Sequence, residues 1–362
     1  MTSSQVFRPQ WASAPGETIA DVLSERGISV EDFAKAIDET PPAVTRLLSG
    51  QTPITLGLAR RLSYALGASV EFWMSRDFQY RDDLSRLDAE RWVRGLPFND
   101  MVRLGWIPPA REVTDKIEAS LAYFDVPDVD TWRDRYARVL QLAAFRASQA
   151  YEPKALAVAA WLRQGELVAE ALPSEPWDPN GFRSSLPQLR SLTRQSDPAA
   201  FIPALQQSCA QNGVAVAVVR APAGCTTSGA ARFVSDDKGL VLLSARHLAD
   251  DHLWFTFFHE AAHLLLHGRK ALFVDSPESP PTRQEEAANQ FAEEILVPTE
   301  VRAEMFKLRR DAREVIRFAR RIGVSPGVVV GQLQHHGRIG RRQLNNLKRR
   351  YRWGASSNLE RA

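Results

Sequence analysis

The sequence predicts a mostly helical α+β chain, and three observations lead there. Apolar residues recur at helical spacing, with capping residues between the segments, over most of the 362 residues. Strand-like runs are confined to about residues 214–244, where a β-branched stretch is followed by two apolar runs around Asp236-Asp237-Lys238. An H-E-x-x-H pattern then sits inside an apolar, helix-forming run at 255–267. The expected organisation is an all-α helix-turn-helix domain at 13–87, a helical connector at 88–197, an α+β domain with a small antiparallel sheet at 198–300, and a basic helical segment at 301–353.

Composition bounds the class. The apolar fraction of 44% is that of ordinary globular protein, and no run approaches the roughly 18 apolar residues of a membrane span. The polar N-terminus lacks a signal pattern, so a cytoplasmic location is expected. Cys209 and Cys225, the two cysteines, fit a reducing compartment and supply neither a disulfide framework nor a cysteine metal cluster. The net charge of +3 hides an asymmetry: residues 1–85 carry 8 Lys/Arg against 11 Asp/Glu, whereas 302–352 carry 15 against 3. The basic segment is a candidate surface for nucleic acid or an acidic partner, with a merely solvated helix face as the alternative.

In order along the chain, Ile19, Val22 and Leu23 mark a first helix stopped by Gly27. Ser29 caps a second, with Phe33, Ala34 and Ile37 inward. Thr40 caps a third whose first position is Pro41, where a missing N–H costs nothing, and Val44, Leu47 and Leu48 face inward. A fourth runs over 55–66 to Gly67, and a fifth over 70–87 packs Phe72 and Trp73 back on the others. Two short helices joined by a tight turn and backed by scaffold helices form the helix-turn-helix cadence. Pro15-Gly16-Glu17, Pro53-Ile54-Thr55, Ala59-Arg60-Arg61-Leu62, Ala65-Leu66-Gly67 and Ser69-Val70-Glu71-Phe72-Trp73 resemble HigA-type antitoxins of the Xre repressor class over residues 13–85. The resemblance implies operator DNA binding through the third helix, with Thr40, Thr45 and Arg46 as the contacts. Pro41, Pro42 and Ala43 occupy places where base-reading side chains usually stand, and the domain is net acidic, so the same surface could recognise a protein.

The connector carries helical runs at 131–150 and 155–172, then a proline-rich loop at 173–181. Trp132, Tyr136, Trp161 and Trp177 could line a pocket, but core packing is the expectation. Beyond it, a helix at 201–212 ends at Gly213 and leads into the strand 214–219 and a hairpin over 230–244.

On a helix, His259 and His263 are one turn apart and present both imidazoles on one face, the geometry of two zinc ligands. Five of the seven histidines fall within 247–267, which concentrates the chemistry on this helix. Glu260 lies beside that face and is the candidate general base. A catalytic zinc needs a third protein ligand, and the helix Gln284-Glu285-Glu286-Ala287-Ala288-Asn289-Gln290-Phe291-Ala292 begins with two carboxylates. This stretch, with Phe255-Thr256 and the run 259–267, resembles the ImmA/IrrE family of zinc metallo-endopeptidases. The resemblance implies a zincin-like domain and places the third ligand on Glu285, with Asn289 behind the ligands and orienting one of them, and His267 either behind the ligands or structural. The family's second glutamate falls on Ala287, which keeps Glu286 open as an alternative ligand. In zincins a strand before the metal helix pairs with substrate, and 228–234 is the candidate. The run Phe318-Ala319, Ile322 to Pro326 and Val329 to Leu333 is also similar to this family, and with Arg338, Arg341, Arg342, Lys348, Arg349, Arg350 and Arg352 it could hold substrate or DNA. Residues 354–362 are expected to fray.

The family resemblance implies limited cuts in a repressor or antitoxin encoded nearby, releasing genes for stress, phage or toxin responses. A homodimer is compatible with it. Two competitors remain: a DNA-binding repressor or antitoxin with an idle or structural metal site, and a module that docks a protein through the acidic N-terminal domain.

Overall fold

A computed structural model of the chain describes residues 9–143, 153–267, 272–274 and 282–362. Of the helix expected at 131–150, residues 144–150 lie outside them. The chain divides into two compact units, Met1–Val93 and Arg94–Ala362.

The first unit is all-helical: α1 Pro15–Arg26, α2 Val30–Ala36, α3 Pro41–Leu48, α4 Leu56–Leu66 and α5 Val70–Gly95. Its ends are set by local chemistry. Ser29, Thr40 and Thr55 each accept a backbone N–H three residues on, and Gly27 terminates α1 in the left-handed region at φ 65°. Ile19, Phe33, Ile37, Val44, Leu58, Leu62 and Trp73 close one core between the helices. Two expectations fail here. Phe72 is 40% exposed, because Trp73 turns inward and donates its indole N–H to Gly67 O, which rotates its neighbour outward. Helix α5 runs eight residues past 87, since 88–95 contains no Gly or Pro before Gly95.

The second unit begins with α6 Phe98–Arg103, α7 Val113–Phe124, α8 Val129–Ala143 and α9 Pro153–Ala171. Trp132, Tyr136 and Trp161 are buried there as core, not pocket lining. Residues 173–178 form the expected loop, followed by α10 Pro179–Leu189 and a 3-10 turn, Arg190–Arg194. Helix α11, Pro198–Ala210, precedes strands β1 Val214–Val218, β2 Gly229–Ser235 and β3 Lys238–Leu243. Then come α12 Asp250–Leu266, β4 Phe273–Val274, α13 Arg283–Leu296, α14 Thr299–Met305, α15 Ala312–Ile322 and α16 Pro326–His335. The two-stranded ribbon β5 Tyr351–Trp353 and β6 Leu359–Arg361 closes the chain.

The sheet has the order β1-β3-β2-β4. The β2–β3 hairpin inserts β3 beside β1, so that one pair is parallel and the small sheet, expected antiparallel, is mixed. Both faces are covered, which explains the continuous apolar runs. Val241 and Leu243 join the core shared with Phe257, Phe258 and Ala261 of α12, while Leu242 faces Gly165 of α9. The strand at 228–234 is not a free edge as expected: Ala230 and Ala231 pair with Val274 and Phe273 of β4.

The C-terminal basic segment is partly spent inside the fold. Arg349 donates to the carbonyls of Thr193, Arg194 and Gln195, closing the end of the 3-10 turn. Lys348 forms a 2.6 Å ion pair with the buried Asp251. Asp250, fully buried, accepts from Ser325 Oγ and from the backbone N–H groups of Asp251 and Arg349. These bonds hold the start of α12, so Lys348 and Arg349 are not available for DNA as expected. Nor does the chain fray after Trp353, because Leu359 is buried and β6 pairs with β5.

Candidate metal centre

Helix α12 presents its histidines as spacing requires. His259 and His263 are 4% and 2% exposed, and their Nε2 atoms lie 3.0 Å apart. Glu285 reaches them from α13, with Oε2 3.1 Å from His259 Nε2 and Oε1 3.5 Å from His263 Nε2. Helix α13 starts where it does because Thr282 accepts the N–H of Glu285 at 3.2 Å, fixing that residue in the first turn. In an ordinary capping box the glutamate would reach back to the cap; here its carboxylate is turned to the imidazoles. Glu286, the alternative, points to solvent.

The neighbours set the orientation of this group. His259 Nδ1 lies 3.0 Å from Asn289 Oδ1, so the ring donates there and keeps a lone pair on Nε2. The Phe273 ring stacks on His263 at 4.1 Å, and Phe255 stacks on His259 at 6.1 Å. His267 donates to Gln284 O at 3.3 Å, outside the converging group, which ties the end of α12 to the start of α13. Burial pushes the His263 imidazole pKa down, favouring the neutral, ligating form. Burial works against the charge of Glu285, but the two imidazoles outweigh it and hold the carboxyl below the usual range.

Donor atoms of His259, His263 and Glu285 all lie within 4.8 Å of one another. Two imidazole nitrogens and a carboxylate oxygen facing one point could hold a cation together, and two His with one Glu is a zinc donor set that leaves a fourth position open. The residues therefore fit the ion.

Glu260 is fully buried one residue from His259. It lies against Gly229 of β2, where a Cβ would stand 2.5 Å from both Glu260 Oε1 and Thr256 Cγ2. Gly229, Phe273 and Thr282 escaped the sequence reading. A glycine inside a strand is itself a signal of close approach, and Thr282 with Glu285 is a capping pattern; nothing local marks Phe273.

In the first unit, the Thr40 hydroxyl accepts from Ala43 N–H and the Thr45 hydroxyl donates to Pro41 O, so both are engaged within α3. Arg46 is exposed and makes no ion pair among the described residues. Cys209 and Cys225 are buried free thiols, with burial raising both pKa values.

The all-helical unit is a helix-turn-helix domain and the α+β region that holds this donor set is a metallopeptidase-type domain, as two family matches show. Residues 212–334 match the Peptidase_M78 family, described as IrrE N-terminal-like domain, and residues 19–73 match the HTH_3 helix-turn-helix family. The chain thus carries an N-terminal Xre-type helix-turn-helix domain and a C-terminal IrrE/ImmA-like Peptidase_M78 domain. It is 34% identical over 61 residues to an uncharacterised HTH-type transcriptional regulator YddM of Escherichia coli (strain K12), covering 17% of this chain and 65% of that protein. It is also 33% identical over 95 residues to virulence-associated protein A' of Dichelobacter nodosus, covering 26% of this chain and 75% of that protein. The first of these relatives is thus spanned over slightly less than two thirds of its length. Among the described residues, no helix is long and apolar enough to cross a membrane.

Proposed function

We propose that this protein is a zinc-dependent endopeptidase of the cytoplasm that makes limited cuts in a regulatory protein, a repressor or antitoxin, and so couples proteolysis to transcription. The observation that carries this reading is the convergence of His259, His263 and Glu285 beside a buried Glu260. Bound there, zinc would supply a Lewis acid and acidify coordinated water.

The chain's own residues do the rest. Glu260, excluded from bulk water, takes a proton from the attacking water and returns it to the leaving amine. Asn289 fixes the His259 tautomer, and Phe273 and Phe255 stack on the His263 and His259 rings respectively. A metal kept only for structure would need neither a carboxylate at 260 nor a glycine cleared for it at 229. That is why the enzyme is preferred to a repressor with an idle site. The helix-turn-helix domain supports operator binding through Arg46, with a protein partner or a second copy as further occupants of that surface.

The test is incubation of the zinc-loaded chain with proteins encoded by neighbouring genes. Cleavage should occur at one or two sites and vanish in Glu260→Gln while zinc stays bound. Undiminished cleavage by that variant would overturn the assignment.

A further inference from the structure

Resting on that reading, we infer that a cleft beside the metal centre is a specificity subsite for an acidic side chain, aspartate or glutamate, of the peptide substrate. The cleft has a volume of about 490 Å³, within the usual range of ligand clefts. It lies between the first half of α12 and α16, and His252, Phe255 and Thr256 of α12 line it. Its wall is shared with the centre. Phe255 stacks on His259, and a Cβ at Gly229, next to the lining Ser228, would meet both Thr256 and Glu260. His252 stands nearly two helical turns before His259, on the same face of α12 and about 10 Å away along its axis. An extended peptide advances about 3.3 Å per residue, so a side chain in the cleft sits about three residues from the scissile bond.

The solvent-exposed charged and imidazole side chains of the cleft are donors. Arg246, His247 and His252 all line it and are all exposed. The His247 and His252 rings lie with centroids 4.1 Å apart, so the two imidazoles act at one place. Arg246 gives Nη1 to Thr226 O at 2.6 Å, which anchors the guanidinium and leaves its Nε–Nη2 edge without an acceptor among the described residues. Arg350 adds to the field: its backbone bridges Ala249, its charge reaches His252, and it is exposed with no ion pair among the described residues. A third lining histidine, His335, is turned to Glu293, with Nε2 3.5 Å from Oε1. Negative charge in the cleft is already spent. Among the described residues its one carboxylate is Asp251, which is buried and held by Lys348 at 2.6 Å.

Charge selects the ligand. Arg246 is permanently cationic, and a lysine or arginine side chain would meet it with no free carboxylate nearby. Burial pushes the pKa of both imidazoles down, so at neutral pH each ring offers an N–H without a charge of its own. A primary amide would take those hydrogen bonds but not the attraction of the guanidinium. A carboxylate takes both, pairing with the Nε–Nη2 edge of Arg246 and accepting from an imidazole. The half-buried Phe255 ring gives its methylene groups an apolar wall.

Two measurements test this. In the first, the zinc-loaded full chain digests a defined peptide mixture in which each position is alanine, aspartate, glutamate, glutamine or lysine. An acidic residue should be preferred at one fixed position, about three residues from the cut, by on the order of 10-fold in kcat/KM over alanine. Arg246→Gln should remove the preference, Arg246→Lys should retain part of it, and Arg246→Glu should transfer it to lysine. In the second, the same peptides on an array are probed with the full-length Glu260→Gln chain and with Glu260→Gln combined with each Arg246 variant. Retention should follow the acid in the parent and lysine in the charge-reversed chain. A profile without acidic preference, one in which glutamine serves as well as glutamate, or one unmoved by Arg246→Glu overturns the subsite. Acid-graded retention without any cleavage overturns the catalytic reading and leaves the subsite standing.

Discussion

Gly229 of β2 stands so close to Glu260 of α12 that a Cβ on residue 229 would lie 2.5 Å from the carboxylate oxygen Oε1. The strand and α12 meet there without a side chain on residue 229 between them. Gly229→Ala should displace the Glu260 carboxylate while leaving the histidines in place. Because misplacement by about 1 Å can cost on the order of 100-fold in rate, kcat should fall by that order with zinc stoichiometry unchanged. Wild-type kcat in the alanine variant would remove the steric argument.

Asn289 should matter through His259 alone. Replacing it with alanine deletes the acceptor for Nδ1 and frees the ring. Zinc affinity, read by chelator competition, is expected to drop on the order of 10- to 100-fold. An Asn289→Asp chain, which keeps an acceptor, should recover most of it.

Breaking the Lys348–Asp251 pair should be costly, because both side chains are under a tenth exposed. Lys348→Met leaves a buried carboxylate unpaired and should cost about 3–5 kcal/mol. Denaturant unfolding of Lys348→Met with Asp251→Asn should show much of that loss regained. A single-variant loss below about 1 kcal/mol would mean that water reaches the pair.

Asp250 predicts the sign of a pH effect. Burial pushes its pKa up from 3.8 to about 6, against the hydrogen bonds from Ser325 and the Arg349 backbone. Between those pH values the folded chain binds the extra proton, so this group's stabilising contribution is complete below 3.8 and is lost as pH rises through 6. Asp250→Asn, which carries no charge, should therefore gain stability relative to wild type at pH 8, and the gain should shrink at pH 5. Melting temperatures across pH 4–8 check it; a difference that grows on acidification has the wrong sign.

Arg46 is the sequence-nominated DNA contact that stays exposed without an ion pair among the described residues. Arg46→Ala should weaken operator binding and reduce the slope of log affinity against log salt by about 1. An unchanged slope would move recognition off α3.

The short-range features of this chain were legible because their causes are short-range. A four-residue spacing puts His259 and His263 on one helix face, Ser29, Thr40 and Thr55 announce three helix starts, and the run at 214–218 can hardly be other than a buried strand. The ligand candidates on α13 were two adjacent carboxylates, and adjacency in sequence puts neighbours about 100° apart on a helix. Only packing of α13 on α12 could turn Glu285 inward and Glu286 out.

Other features depend on segments far apart in sequence, and periodicity carries no record of them. The approach of Gly229 to Glu260, the stacking of Phe273 on His263, and the capture of Asp250 and Asp251 by Ser325, Arg349 and Lys348 all join segments that meet only after folding. So the sequence determined the chemistry available, two imidazoles and a carboxylate on a helix. The tertiary structure decided which carboxylate faces the two imidazoles, which strand edge is covered, and which basic residues are spent inside the fold. The physical reason is that ligand sets and buried charges are fixed by distances between elements, while sequence patterns report only the faces within one element.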